Sequence, residues 1–205
     1  MEYLVTMTTH VPAGTSEEAV ADMRAREAGR SRDLAAEGHL LRLWRPPLQP
    51  GEWRTLGLFA AKDDGQLEDV LGSMPLRVWR TDEVTVLLPH ANDPALSGRG
   101  PKETPDENTS PEFLTRFTVN VPDGAPGRLA EETTSQETGR TEDLADQGHL
   151  LRLWTLQREG SLGLWRAADA TEIQAILESL PLYDRMTVET TPLSPHPNDP
   201  KINQI

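Results

Sequence analysis

The heptapeptide GHLLRLW occurs twice in this chain, at Gly38 to Trp44 and at Gly148 to Trp154, an offset of 148 − 38 = 110. The same offset aligns Val11-Pro12-Ala13-Gly14 with Val121-Pro122-Asp123-Gly124, Glu27 with Glu137, and Asp33-Leu34-Ala35 with Asp143-Leu144-Ala145. Past the tryptophan the offset falls to 106, matching Gly57-Leu58 to Gly163-Leu164, Pro75-Leu76 to Pro181-Leu182, and Asn92-Asp93-Pro94 to Asn198-Asp199-Pro200. The second copy has lost four residues from the loop PPLQPGE. One domain is therefore written twice: a first repeat at 1–94, a linker at 95–111 and a second repeat at 112–200. The linker is rich in Pro, Gly, Ser and charge and holds one large apolar residue, so it buries too little surface to offset the entropy of ordering and reads as a flexible tether.

Apolar spacing and punctuation parse each repeat as strand, helix, strand, strand, helix, strand. In the first repeat the expected strands are about 2–11, 39–44, 53–61 and 83–88, and the helices about 16–37 and 65–73, with Gly38 at a helix C-cap and Pro75 stopping the second helix. The fold class that follows is α+β: two tandem ferredoxin-like βαββαβ repeats. Such a unit leaves one sheet face uncovered by its own helices. Two of them pressed face to face would form an intramolecular dimeric α+β barrel.

Charge narrows the partners. With 33 acidic against 20 basic residues the formal net charge is −13, which repels a phosphate backbone, so nucleic acid is not an expected partner. No stretch approaches the roughly 20 apolar residues of a membrane span. The absence of cysteine removes disulfides, thiolate nucleophiles and Cys-based metal sites, and no His/carboxylate spacing on a helix face suggests a metal. The amino terminus reads as a strand rather than a leader, and a cytoplasmic protein is expected.

The first helix holds the sharpest oddity. Val20, Met23, Glu27 and Leu34 share one stripe, so a carboxylate lies in the face that packs on the sheet; Ala130, Thr133, Glu137 and Leu144 repeat the pattern. Burial there would raise a carboxyl's pKa toward the range of a general acid or base. The blander account pairs Glu27 with Arg30, and Glu137 with Arg140, three residues on. After Gly38, strict alternation puts His39, Leu41 and Leu43 on one face and Leu40, Arg42 and Trp44 on the other. His39 and His149 then stand as catalytic candidates beside Glu27 and Glu137. Arg42 and Arg152 would bind a substrate carboxylate, with Trp44, Trp154 and Trp53 as apolar walls. The competing account has Arg42 pairing with acidic residues of the other copy and Trp44 filling core. His90 and His196 sit in matching Pro-His-(Ala/Pro)-Asn-Asp-Pro segments, which read as structural turns, although a tail histidine could reach a pocket at the strand ends.

A carboxylate midway along the first helix, then Glu37-Gly38 leading into Leu43-Trp44-Arg45, then Leu76 after a proline, resembles the muconolactone delta-isomerase family over nearly all of each repeat. The resemblance implies a ferredoxin-like fold that associates through its sheets. It also implies cofactor-free proton transfer that moves a double bond in a small unsaturated lactone, with Glu27 and Glu137 as the proton-handling carboxylates. The pattern departs at Leu41-Arg42, where the family has Arg-His, and at Thr155, which replaces the arginine after the second tryptophan. Two further expectations stand beside this one: an isomerase or cyclase for a larger polyketide-like intermediate, and a non-catalytic small-molecule-binding protein. A pseudo-dimer within one chain, with scope for further homo-oligomers, completes the reading.

Overall fold

A computed structural model of the chain describes residues 1–96, 98, 110–119, 127–158 and 160–202, and the tether expected at 95–111 falls largely outside them. Among the described residues are eight strands and four α-helices, a mixed α+β fold. The chain divides into two compact units, Met1–Leu87 with Ser194–Ile205 and Leu88–Leu193. Each unit is thus the body of one repeat together with a piece of chain from the end of the other.

The first unit contains β1 (Glu2–Thr9), α1 (Glu17–Ala36), β2 (Leu40–Arg45), β3 (Arg54–Ala60), α2 (Asp64–Gly72) and most of β4 (Arg80–Pro89). Its strands run antiparallel in the order β4-β1-β3-β2. The helix ends are chemically marked. Ser16 Oγ accepts the Ala19 N–H at the start of α1, and Asp63 Oδ1 accepts the Gln66 N–H at the start of α2. At the end of α1, Gly38 takes φ = 77° while its N–H donates to the Ala35 carbonyl and the His39 N–H donates to the Leu34 carbonyl. That is a Schellman closure, and glycine is the residue that adopts its left-handed position without strain.

Two features differ from the sequence expectation. A short 3₁₀ segment, Pro75–Trp79, follows α2 directly, and β4 begins at Arg80 rather than near 83. Strict alternation also fails in β2. Leu40 pairs with Phe59 but Arg42 with Leu58, so Leu41 is an extra residue, a β-bulge. The bulge turns Leu40 and Leu43, three apart, toward the same core, where they pack with Tyr3, Val5, Leu34 and Phe59. Completely burying each such side chain contributes about 1.5–3 kcal/mol. Gly57 on β3 lets the Phe59 ring lie across the backbone, since a Cβ there would meet Phe59 Cε2 at 2.4 Å and Met7 Cε at 3.0 Å.

The second unit repeats the plan with β5 (Glu112–Val119), α3 (Gly127–Asp146), β6 (Leu150–Leu156), β7 (Ser161–Arg166), α4 (Ala170–Glu178) and most of β8 (Met186–Pro195). Its order is β8-β5-β7-β6. The bulge recurs at Leu151, and the glycine closure at Gly148 with φ = 80°. Trp165 takes the place of Phe59, over Gly163. Among the described residues no helix is long and apolar enough to cross a membrane.

Candidate functional site

Each unit holds a cavity between its first helix and the sheet. In the first unit it measures about 590 Å³, and in the second about 100 Å³. The larger falls within the ~300–1,000 Å³ of small-molecule sites, and the smaller lies below that range.

Glu27 lines the larger cavity from α1 and is 8% exposed. Two donors grip its carboxylate: the Leu76 N–H at 2.8 Å, presented by the 3₁₀ segment, and Arg80 Nη1 at 3.0 Å, from the start of β4. Arg80 is itself held by Asp82, with Nε at 2.7 Å from Oδ1, and Asp82 also accepts from Arg77. Burial pushes the Glu27 carboxyl above its ordinary value; the Leu76 N–H and Arg80 oppose that rise, and Asp82 adds to it. The pairing with Arg30 does not form, because Arg30 turns to Glu37 and Ser73 instead.

Four arginines, Arg24, Arg45, Arg54 and Arg80, line this cavity with only Glu27 and Glu52 as acids. Arg24 stacks on the Trp53 ring at 4.4 Å, which fixes that indole as one wall. Trp53 is therefore placed at the cavity, as its assignment to substrate binding requires.

In the sequence His196 reads as a structural turn residue, with the option that a tail histidine reaches a pocket at the strand ends. It reaches the larger cavity from the tail of the second repeat. The tail is tied down at three points. Ser194 and Pro195 pair with Arg45 and Trp44, the His196 N–H donates to the Leu43 carbonyl at 3.1 Å, and the carboxylate of Asp199 accepts from Arg42 and from the Leu43 N–H. Asp199 is fully buried. Burial, and then Arg45, depress the His196 imidazole to about 4, with Asp199 opposing, so it is neutral at neutral pH. Its Nδ1 lies 3.1 Å from the Asn198 N–H and accepts from it, so the single ring proton sits on Nε2.

Arg42 does not line the cavity. Its guanidinium is engaged by Asp199 at 3.0 Å and lies over the Trp44 ring at 4.7 Å. This is the pairing with the other repeat's acid that the sequence offered as the competing account, and Trp44 is core, 1% exposed. Arg152, Asp93 and Trp154 reproduce the arrangement in the second unit. His39 also stands apart from the cavity lining. Its backbone closes α1, and its Nδ1 lies 2.9 Å from the Ala60 carbonyl, as that of His149 lies 3.1 Å from the Arg166 carbonyl. The glycine closure and the bulge at Leu41 affect only 39–41; Arg42 and Trp44 keep the face opposite Leu43, and it is Asp199 that engages the Arg42 guanidinium.

In the smaller cavity Glu137 accepts the Leu182 N–H at 3.0 Å, and burial raises its carboxyl. His90, from the end of the first repeat, repeats the tail geometry: its Nδ1 accepts from the Asn92 N–H at 3.1 Å, and burial holds its pKa down. The rest differs. In the sequence alignment of the repeats Met186 takes the place of Arg80, Val188 of Asp82 and Thr155 of Arg45. Phe117 and Trp165 meet edge to face, with ring centroids 6.2 Å apart, and fill the space.

The family model described as muconolactone delta-isomerase matches residues 1–93 and 112–199. Among curated proteins, muconolactone delta-isomerase 1 of Acinetobacter lwoffii is 32% identical over 87 residues, covering 42% of this chain and 91% of its own. The muconolactone delta-isomerase of Rhodococcus opacus is 28% identical over 90 residues, covering 43% of this chain and 97% of its own. Each alignment is about one repeat long. Solved structures with a similar fold include a heme-binding protein from Thermus thermophilus, with TM-score 0.61, 12% identity, and coverage of 97% of this chain and 93% of that one. Another is chlorite dismutase from Candidatus Nitrospira defluvii, with TM-score 0.60, 8% identity, and coverage of 95% and 91%.

Proposed function

The chain belongs to the muconolactone delta-isomerase family, and from that premise we propose that it is an isomerase that moves a double bond within a small unsaturated lactone by proton transfer at the cavity of the first unit. The observation that carries this reading is the buried carboxylate of Glu27, raised above its ordinary value yet kept ionisable by Arg80 and the Leu76 N–H. Glu27 takes the proton from the γ carbon, at the far end of the alkene conjugated with the lactone carbonyl. The electron pair moves through the alkene into the carbonyl to give a dienolate, and the same carboxyl, its proton exchangeable with solvent, protonates the carbon beside the carbonyl, which leaves the double bond one position further on. This sequence consumes no oxidant or reductant and takes no cofactor.

The surplus of arginine around the cavity, in a chain of net charge −13, supports a substrate that carries a carboxylate. Arg45 and Arg54 face that group, and Trp53 packs against the ring. In this reading the two repeats close as an intramolecular dimeric α+β barrel, the arrangement that the uncovered sheet face of a βαββαβ unit favours. Glu137 occupies a space too small for such a ligand. His39, His149, Arg42 and Arg152 serve the scaffold rather than the reaction.

One observation favours a second reading. A cavity of about 590 Å³ has room to spare for a small lactone, so a larger polyketide-like carbonyl compound handled by the same proton transfer is the alternative. Proton NMR of the purified protein with muconolactone in deuterated water tests the first reading. Double-bond migration with deuterium wash-in is the expected result. A protein that leaves both signals flat has a different substrate.

A further inference from the structure

The two tails that end in Asn-Asp-Pro are held by matching clamps, yet only one delivers its histidine to a roomy cavity. The bidentate grip of Arg42 on the buried Asp199, with the Leu43 N–H on the same carboxylate, fixes the turn that carries His196. The Asp199 N–H closes that turn on the His196 carbonyl at 2.8 Å. The imidazole then has its Nδ1 committed to the Asn198 N–H. Its Nε2 proton is the one donor left on the ring, and the ring lines the same space as Glu27.

We propose that His196 is a catalytic residue of the first unit's site: its Nε2–H hydrogen-bonds the carbonyl oxygen of the substrate and stabilises the dienolate while Glu27 moves the proton. The proton stays on Nε2 throughout, so the imidazole acts as an electrophile and not as an acid. A neutral ring suits the role, because its N–H is a donor across the whole neutral range. The working site is accordingly built from the body of the first repeat and the tail of the second. Arg42 and Asp199 are positioning residues that act through His196.

The inference rests on the isomerase reading for its substrate, so its test has one arm that needs no turnover. Binding of 4-nitrophenolate, whose oxygen mimics that of a dienolate, is measured by absorbance titration for wild type, His196→Ala, His196→Gln and His90→Ala. A glutamine side chain places an amide N–H near the position of Nε2. His196→Ala is expected to weaken binding about tenfold or more, as loss of a hydrogen-bond donor to a charged oxygen does, with His196→Gln close to wild type and His90→Ala unchanged. In turnover of muconolactone, His196→Ala is expected to lower kcat about 10²-fold at little cost in KM, with His196→Gln recovering most of it. Thermal melts confirm that each variant is folded.

If wild type binds the phenolate and shows this pattern but leaves muconolactone untouched, the substrate assignment falls while His196 stands. If a folded His196→Ala binds the phenolate as tightly as wild type, or if wild type does not bind it at all, the proposal is wrong. A glutamine variant as weak as the alanine variant would overturn it too, since the donor would then not be what matters.

Discussion

The clamps that hold the two tails are nearly superimposable in chemistry, whereas the two cavities beside them are not. Arg42 with Asp199 and Arg152 with Asp93 use the same atoms at 3.0 and 3.1 Å, over tryptophans at the same 4.7 Å. Around the carboxylates, by contrast, Arg80 and Asp82 have become Met186 and Val188, the loop bearing Trp53 has shortened, and Phe117 and Trp165 fill the space. The repeats share the clamp that holds each tail and differ in the side chains around each cavity. The strand identity that first exposes the repeat, GHLLRLW, belongs to the shared part. Its identity reflects the helix closure, the bulge and the tail clamp.

The contrast breaks most visibly at the glutamates. Glu27→Gln is expected to lower kcat about 10³-fold, as loss of a positioned acid–base group does, whereas Glu137→Gln leaves turnover unchanged. Steady-state kinetics on both variants decide it, and equal losses would make the sites equivalent. The clamps, on the other hand, are expected to respond alike. Arg42→Ala and Arg152→Ala each strand a buried carboxylate and cost about 3 kcal/mol in chemical denaturation, with Arg42→Ala alone also reducing turnover because it frees the tail that carries His196.

Arg80→Met puts beside Glu27 the residue that the second repeat has at the matching position, Met186. Arg80 holds down a carboxyl that burial raises, so its loss moves the Glu27 pKa further up. The base must be ionised to work, so activity rises with pH through that pKa. The acid limb of kcat/KM in wild type therefore lies above the ordinary carboxylate range, and in the variant it moves higher still. At a pH just below that limb, activity falls about tenfold for every whole pH step by which the limb moves. A pH profile that does not move would show that Arg80 serves only structure. The smallest effect is expected at Trp53→Ala, a rise in KM of about fivefold with kcat nearly kept, as the stacked wall with Arg24 is lost.

The fold was legible in the sequence wherever a local rule dictated it. Ser16, Asp63 and Gly38 mark helix ends through their own hydrogen bonds and φ preference, and the apolar stripe of α1 identifies Glu27 as buried. The bulge at Leu41 was not legible, because one extra residue changes the facing of a strand without changing its composition. The alternation of Arg42, Leu43 and Trp44 holds in the structure, and what the sequence does not reveal there is Asp199, which engages the Arg42 guanidinium. Arg80 is a different case, since it meets Glu27 across 53 residues, and His196 lines the same cavity from the tail of the other repeat. A trace of both was present all the same. Aligning the repeats residue by residue sets Arg80 against Met186, which marks the one partner of the glutamate that the copies do not share, and it shows His90 and His196 in matching turns that differ only at Ala91 and Pro197.

The central claim is that one carboxylate, in one cavity, moves the proton. The direct measurement is proton NMR of muconolactone in deuterated water with Glu27→Gln and Glu137→Gln run side by side against wild type. Double-bond migration and deuterium incorporation are expected with wild type and with Glu137→Gln, and neither signal with Glu27→Gln. Turnover by Glu27→Gln at the wild-type rate would contradict the claim.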